Sequence, residues 1–186
     1  GCGAGKSTCV LAREYPESKI VGVDYHEASI QKAIKRADHE NRKNVSFMVA
    51  NSESSEWYGS GEVDVVTFFD AFHDMENPGG AAKQAYAALK EGGVVILVEP
   101  LSSEADNIAD KCSLPVTGYL SAASSHLCTL TALGVDGTGL GLGASCATTR
   151  YRQLFKDAGF KSLNVLSMDG LCGPTENGFR VMVVVK

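Results

Sequence analysis

Apolar positions along the chain fall into two rhythms. Short runs at Ile20-Val21-Gly22-Val23, 45–50, 63–69 and 93–98 are largely hydrophobic rather than alternating, the pattern of parallel strands covered on both faces. Between them lie stretches with helical spacing. One predicts a helix from about Lys6 to Tyr15, stopped by Pro16, because the residue before a proline is pushed out of the helical region. A second spans about Glu27 to Asn41, with Ala28, Ile30, Ile34 and Ala37 as its apolar stripe. Phe179 to Val185 is a further apolar run. Helical and strand-like segments in alternation predict an α/β fold with helices covering a mostly parallel sheet.

Between Pro100 and Thr149 the pattern breaks into a stretch rich in Ser, Ala and Gly, including Gly134 to Gly143. An insertion at about 100–149 has two readings. It is a mobile lid whose glycines ease rearrangement and whose closure excludes water, or a surface loop or pair of small helices at a homodimer contact.

At 186 residues, 44% hydrophobic and 21% charged, the chain can bury one sizeable core, and a single domain over 1–186 is expected. The net charge of −5 opposes a nucleic-acid surface, which relies on clustered cations. Lys32, Lys35, Arg36, Arg42 and Lys43 cluster, but Asp38 and Glu40 interleave with them as on a solvated helix face. The six cysteines, at 2, 9, 112, 128, 146 and 172, form no C-x-x-C pair and no zinc-ligand spacing, so free thiols in a reducing compartment are expected. No signal peptide stands at the start and no apolar run nears the roughly 18 residues of a membrane span, which predicts a cytoplasmic protein without a membrane partner. The chain opens inside a motif, however, and reads as a fragment whose targeting segment could be absent.

That motif is Gly1-Cys2-Gly3-Ala4-Gly5-Lys6-Ser7-Thr8, a glycine-rich turn leading into a helix, followed by an apolar run ending in Asp24. Glycines let a ligand approach the backbone, the helix start offers free N–H groups, and a carboxylate ending the next strand can accept both hydroxyls of a ribose. The dinucleotide fingerprint G-x-G-x-x-G fails at Lys6. A P-loop fits Gly5-Lys6-Ser7 but needs a glycine before Gly1, so a nucleotide hydrolase or kinase stays open on the loop alone. The pattern G-x-G-x-G followed by a helix and an acid-ended strand fits Gly1, Gly3, Gly5 and Asp24.

This third pattern resembles the glycine motif and acidic motif of class I S-adenosylmethionine-dependent methyltransferases, and the likeness runs along nearly the whole chain. Asn44 to Glu53 is similar to the family's third strand, and Val63 to Asp74 to its fourth strand and following loop, with Asn77-Pro78 opening a helix. Ala85 to Gly93 and Val94 to Pro100 resemble the helix, double-glycine turn and fifth strand, and Tyr151 to Phe160 the late helix ending in Ala-Gly-Phe. The resemblance implies a Rossmann-like sandwich with an antiparallel C-terminal strand, the first strand missing from the chain, and S-adenosylmethionine as cofactor. It also implies methyl transfer, with a non-catalytic cofactor-binding regulatory module as the alternative.

On that resemblance Gly1, Gly3 and Gly5 pass under the methionine part of the cofactor, and Asp24 grips the ribose unless it merely caps the helix beginning near Glu27. Tyr25 and Ile30 sandwich the adenine, Ile30 being equally a core residue, while Asn51 and Ser52 meet the adenine edge. Backbone groups near Asp70 hold the methionine amine. In-line displacement at a methyl group needs alignment first, and a base only where the nucleophile carries a proton. His73 is the first base candidate, against a packing role bonded to a loop carbonyl. His126 is the second, with Glu99 and Tyr119 behind. The insertion carries few charges besides Glu104, Asp106, Asp110, Lys111 and Asp136, which favours a small neutral acceptor.

Overall fold

A computed structural model describes residues 1–52, 54, 58–102, 115–166 and 178–186, with the backbone alone for 115–117. Glu53, Glu104, Asp106, Asp110, Lys111, Cys112 and Cys172 lie outside the described residues. The chain divides into two compact units, Gly1–Gly59 and Ser60–Lys186.

In the first unit α1 (Lys6–Glu14) leads to β1 (Ile20–Asp24), α2 (Glu27–His39) and β2 (Val45–Val49). The two strands pair in parallel, from Ile20 opposite Val45 to Asp24 opposite Val49. Asn44, at the entrance to β2, donates its amide Nδ2 to the carbonyls of Ala12, Tyr15 and Ser18 at 3.0, 3.1 and 3.0 Å. One side chain thereby satisfies carbonyls that the end of α1 leaves open. The helix predicted to reach Asn41 ends at His39, because Asn41 turns left-handed at φ 52°. The N–H groups of Asn41 and Arg42 then return to the carbonyls of Asp38 and Ala37, a closure that stops further helical turns.

The apolar stripe of α2 also differs from expectation. Ile30, Ala33 and Ala37 are buried with Cys9 and Ala12 of α1, whereas Ala28 and Ile34 face outward. The inward position Ala33 is small because the glycine loop packs directly on it, as the geometry of Gly5 shows below.

The second unit holds β3 (Val63–Phe69), α3 (Pro78–Ala88), β4 (Leu89–Pro100), α4 (Pro115–Ala123), α5 (Thr129–Leu133), α6 (Thr148–Asp157), β5 (Ser162–Leu166) and β6 (Phe179–Val185). Its sheet has the order β3-β4-β6-β5. β3 and β4 run parallel, and β6 runs antiparallel to both β4 and β5, as the resemblance implied for the last strand. Asn77 caps α3 by accepting the Gly80 N–H at 2.8 Å, with Pro78 in the first turn. β4 begins at Leu89, earlier than its apolar run, because Leu89 pairs with Val63 before a register shift carries the pairing to Val94 opposite Val65. The unbroken apolar runs bury alternate residues rather than whole strands: Val66 and Phe68 are inside while Val65 is exposed, and in β6 Arg180, Met182 and Val184 are inside. The core gathers Phe72, Tyr151, Phe155 and Phe160, with Phe72 and Phe155 stacked at 5.1 Å between centroids.

α4 continues through a π-helical turn (Ser124–Cys128) into α5, so the described part of the insertion is largely helical. The glycine-rich stretch after α5 is tied down by the Leu140 N–H to the Glu76 carbonyl at 2.8 Å and the Gly143 N–H to the His73 carbonyl at 3.0 Å. No helix among the described residues is long and apolar enough to cross a membrane. Cys2, Cys9, Cys128 and Cys146 are free thiols.

Candidate active site

The candidate residues divide between the units. In the first, the loop from Gly1 to Gly5 is stitched to the end of β1: the nitrogens of Gly1 and Cys2 donate to the Val23 carbonyl at 2.8 and 2.9 Å. Gly3 and Gly5 adopt left-handed φ of 52° and 70°. Their reasons for being glycine differ. A Cβ on Gly5 would come within 2.7 Å of Ala33 Cβ and 2.8 Å of the Phe47 ring, so loop, α2 and β2 interlock there. A Cβ on Gly3 would meet nothing within 4 Å, and the backbone at Gly3 borders open space that a ligand could occupy.

Asp24 is 8% exposed, and both its carboxylate oxygens are engaged. Oδ2 accepts the Gly3 N–H at 2.8 Å, and Oδ1 accepts the N–H of His26 at 2.9 Å. It therefore ties the glycine loop to the start of α2. The capping alternative is met only in part, since the bond goes to the residue before the helix rather than into its first turn. A carboxylate has about four acceptor positions, so two backbone bonds leave capacity toward a diol. Tyr25 is 74% exposed, whereas Ile30 is 2% exposed and belongs to the core rather than to an adenine-facing surface. Asn51 and Ser52 follow β2 directly, where the Ala50 N–H donates to the Asp24 carbonyl at 3.0 Å.

In the second unit the residues after β3 form a polar cluster. Asp70 takes a left-handed φ of 54°, unusual for a side-chain-bearing residue, and its N–H donates to the Val98 carbonyl at 2.7 Å. Its carboxyl is raised above the ordinary carboxylate range, first by partial withdrawal from water and then by Glu99 and Asp74, with His73 opposing.

Glu99, near the end of β4, is fully buried. Its Oε1 accepts the backbone N–H of Phe72 at 2.9 Å and of Ala71 at 3.3 Å, and its Oε2 lies 2.5 Å from His73 Nδ1. An ionised carboxylate only accepts, so Nδ1 carries a proton and donates it. His73 is thus bonded to a carboxylate rather than to the loop carbonyl its packing reading required. Its side chain is 3% exposed, and its Nε2 faces Asp74 Oδ1 at 3.3 Å. Burial opposes the imidazolium, but the Glu99 hydrogen bond and charge, then Asp74 and Asp70, outweigh it, and the histidine pKa is raised.

His126 stands apart from these groups in its bonding. It is exposed on the π-helical turn, its Nδ1 2.9 Å from the carbonyl of Ala122 one turn earlier. Tyr119 is 73% exposed on α4.

Three contributors were not legible as site residues. Arg180 sits opposite Glu99 in the β4–β6 register and is 4% exposed. Its guanidinium donates to Thr148 Oγ1 at 2.8 Å and to the Cys146 carbonyl, and lies 5.0 Å above the Tyr151 ring centroid. Tyr151 donates its hydroxyl toward Glu99 Oε2 at 3.5 Å, and its own pKa is pushed up by burial and then by Glu99. The signal available was one cation, Arg180, inside an otherwise apolar run. Cys128 is the third, brought beside Asp74 by the π-helical turn, with burial and then Asp74 raising its thiol.

Comparison with known proteins places the chain in a family. A methyltransferase domain family matches residues 1–159. A tRNA (guanine-N(7)-)-methyltransferase of Rubrobacter xylanophilus is 49% identical over 51 residues, 27% of this chain and 23% of that protein. A demethylmenaquinone methyltransferase of Lactococcus lactis subsp. lactis is 27% identical over 130 residues, 66% of this chain and 51% of that protein. In structure, an O-methyltransferase family protein from Burkholderia thailandensis aligns with a TM-score of 0.71 at 15% identity, over 100% of this chain and 48% of that one. The chain spans about half or less of the length of these relatives. With a family match over most of its length and the fold to accompany it, the chain belongs to the methyltransferase domain family and has the α/β fold of class I S-adenosylmethionine-dependent methyltransferases.

Proposed function

We propose that this chain binds S-adenosylmethionine through the Gly1–Gly5 loop and Asp24, and that the protein transfers the methyl group to a small, uncharged acceptor. The observation that carries the reading is the double engagement of Asp24, which fixes the loop and the start of α2 while keeping acceptor capacity for two ribose hydroxyls. Family membership supports the donor, and it disfavours the P-loop alternative that the loop alone left open. Tyr25 offers an exposed ring for the adenine, and Asn51 and Ser52 its polar edge. The relatives' names cover both a tRNA and a quinone-type acceptor, and the excess of acidic side chains favours the small molecule.

When bound, S-adenosylmethionine would supply a methyl group on a positively charged sulfur, open to displacement by a lone pair of the acceptor with a neutral thioether as the leaving group. Where the acceptor carries a proton, His73 Nε2 takes it. Glu99 holds Nδ1–H and so presents Nε2 as a lone pair, and the long 3.3 Å contact to Asp74 is the one an acceptor displaces. His126 is the second candidate base and is tested beside it. The described helices of the insertion cover the acceptor as a lid, the protein works in the cytoplasm, and the apolar side chains Tyr119, Leu127 and Leu130 on those helices are where a second copy would meet it.

Calorimetric titration with S-adenosylmethionine tests the cofactor assignment. Asp24→Ala should weaken binding by roughly ten- to hundredfold, because charge-assisted hydrogen bonds contribute about 1.5–3 kcal/mol. Unchanged affinity in a folded variant would remove the ribose role. Turnover over a panel of small acceptors separates an enzyme from a regulatory binding module.

A further inference from the structure

Among the described residues, His73, Asp74 and Cys128 bring an imidazole nitrogen, a carboxylate oxygen and a thiol sulfur within 4.8 Å of one another. Proton removal as proposed above uses only His73 of that set and gives Cys128 no role. The set's components are of the type that bind a zinc-like cation. Nδ1 of His73 is committed as a donor to Glu99 at 2.5 Å, so in the neutral ring Nε2 is a bare lone pair. It faces Asp74 Oδ1, a buried oxygen that accepts no hydrogen bond, at 3.3 Å. In the metal-free protein a proton on Nε2 can occupy the space between the two atoms, and a divalent cation would take that proton's place.

We infer that His73 Nε2, Asp74 Oδ1 and Cys128 Sγ form a binding site for a single zinc-type divalent cation, with one coordination position left for water. The distances fit. Bonds of about 2.0–2.1 Å to nitrogen and oxygen in a tetrahedron place those two atoms about 3.3 Å apart, which is the separation found. The sulfur needs only a modest approach from within 4.8 Å, and Cys128 closes a π-helical turn, a local distortion common at functional sites. The second layer is in place as well: a buried carboxylate fixing the ligating histidine's other nitrogen is the arrangement that orients zinc-bound imidazoles, and Glu99 is itself held by two backbone N–H groups. Thiolate, imidazole and carboxylate together favour zinc over calcium or magnesium. Because Nε2 has one lone pair, a cation there and a proton-accepting His73 exclude each other, and the metal-loaded protein is one in which this histidine cannot serve as a base.

The test uses the chain after dialysis against a chelator. Metal analysis and competitive titration should show one equivalent of Zn²⁺, and Co²⁺ substituted for it should give a sulfur-to-cobalt charge-transfer band. The band should vanish in Cys128→Ser and persist in Cys146→Ser, and Glu99→Gln should weaken zinc binding by about ten- to hundredfold through the histidine it orients. No stoichiometric uptake, or a band that survives Cys128→Ser or is lost in Cys146→Ser, would overturn the site. Circular dichroism confirms that each variant is folded, and His73→Gln supplies a second ligand deletion should Cys128→Ser not fold. S-adenosylmethionine affinity, measured in parallel, should not move with Cys128→Ser, so failure of the metal site and failure of the cofactor assignment are read separately.

Discussion

His73 Nδ1 lies 2.5 Å from Oε2 of Glu99, a fully buried carboxylate whose other oxygen is held by the backbone N–H groups of Phe72 and Ala71. The bond joins the turn after β3 to the end of β4, fixes the histidine tautomer, and gives the buried glutamate a hydrogen-bond donor. Glu99→Gln keeps the shape but removes the charge. Turnover should fall at least about tenfold while S-adenosylmethionine affinity stays within about twofold, since a positioned base contributes to the rate rather than to cofactor binding. Equal losses in both would mark the pair as structural.

Gly3 and Gly5 share a left-handed backbone but not an environment, so alanine at each should act differently. Gly5→Ala adds a clash with Ala33 and Phe47 to the backbone strain and should destabilise the fold by about 2–5 kcal/mol. Gly3→Ala meets open space, should destabilise by only about 1–2 kcal/mol, and should chiefly weaken cofactor binding. Denaturant unfolding beside calorimetry distinguishes them, and similar stability losses in both would refute the interlock at Gly5.

Arg180 is the cation nearest in register to Glu99 and covers the Tyr151 ring. Replacing it by Leu removes its buried hydrogen bonds to Thr148 Oγ1 and the Cys146 carbonyl and its contact with the Tyr151 ring, and stability should drop by about 1–3 kcal/mol in chemical unfolding. Arg180→Lys should recover only part of this, because a single ammonium cannot reach both Thr148 Oγ1 and the Cys146 carbonyl as the guanidinium does.

Burial pushes the Cys146 thiol up to about 11 from an ordinary 9.0. The folded state therefore holds this proton more tightly than the unfolded chain does. The resulting stability is present below pH 9 and lost as pH rises through about 11, on the order of 2 kcal/mol in all. Unfolding free energy followed from pH 8 to pH 11 should fall more steeply in the native chain than in Cys146→Ala, and parallel curves would contradict the assignment.

The order and kind of most elements are legible in the residue pattern. The largely apolar runs at 45–50 and 63–69 are β2 and β3, Asn77-Pro78 opens α3, and the glycine loop with Asp24 carries the pattern on which the proposed ribose contact rests. These features are local, written in periodicity, capping and the backbone freedom of glycine. β5 has no such local signal, because Ser162 to Leu166 is short and carries polar residues at alternate positions, and it becomes a strand by pairing with β6. The inward face of α2 is likewise not local: Ala33 rather than Ile34 turns inward because Gly5 packs against it, a contact between distant positions.

The partners of His73, by contrast, come together only through the packing of distant segments. Glu99, Tyr151, Arg180 and Cys128 stand 26 to 107 positions away along the chain, and no spacing rule links them. They meet because β4 pairs with β3 on one side and β6 on the other, which sets Arg180 opposite Glu99 and brings the turn after β3 onto the glutamate. Charge is tolerated in that interior only where such pairing supplies partners, so the chemistry of the cluster is a property of strand register rather than of any segment alone.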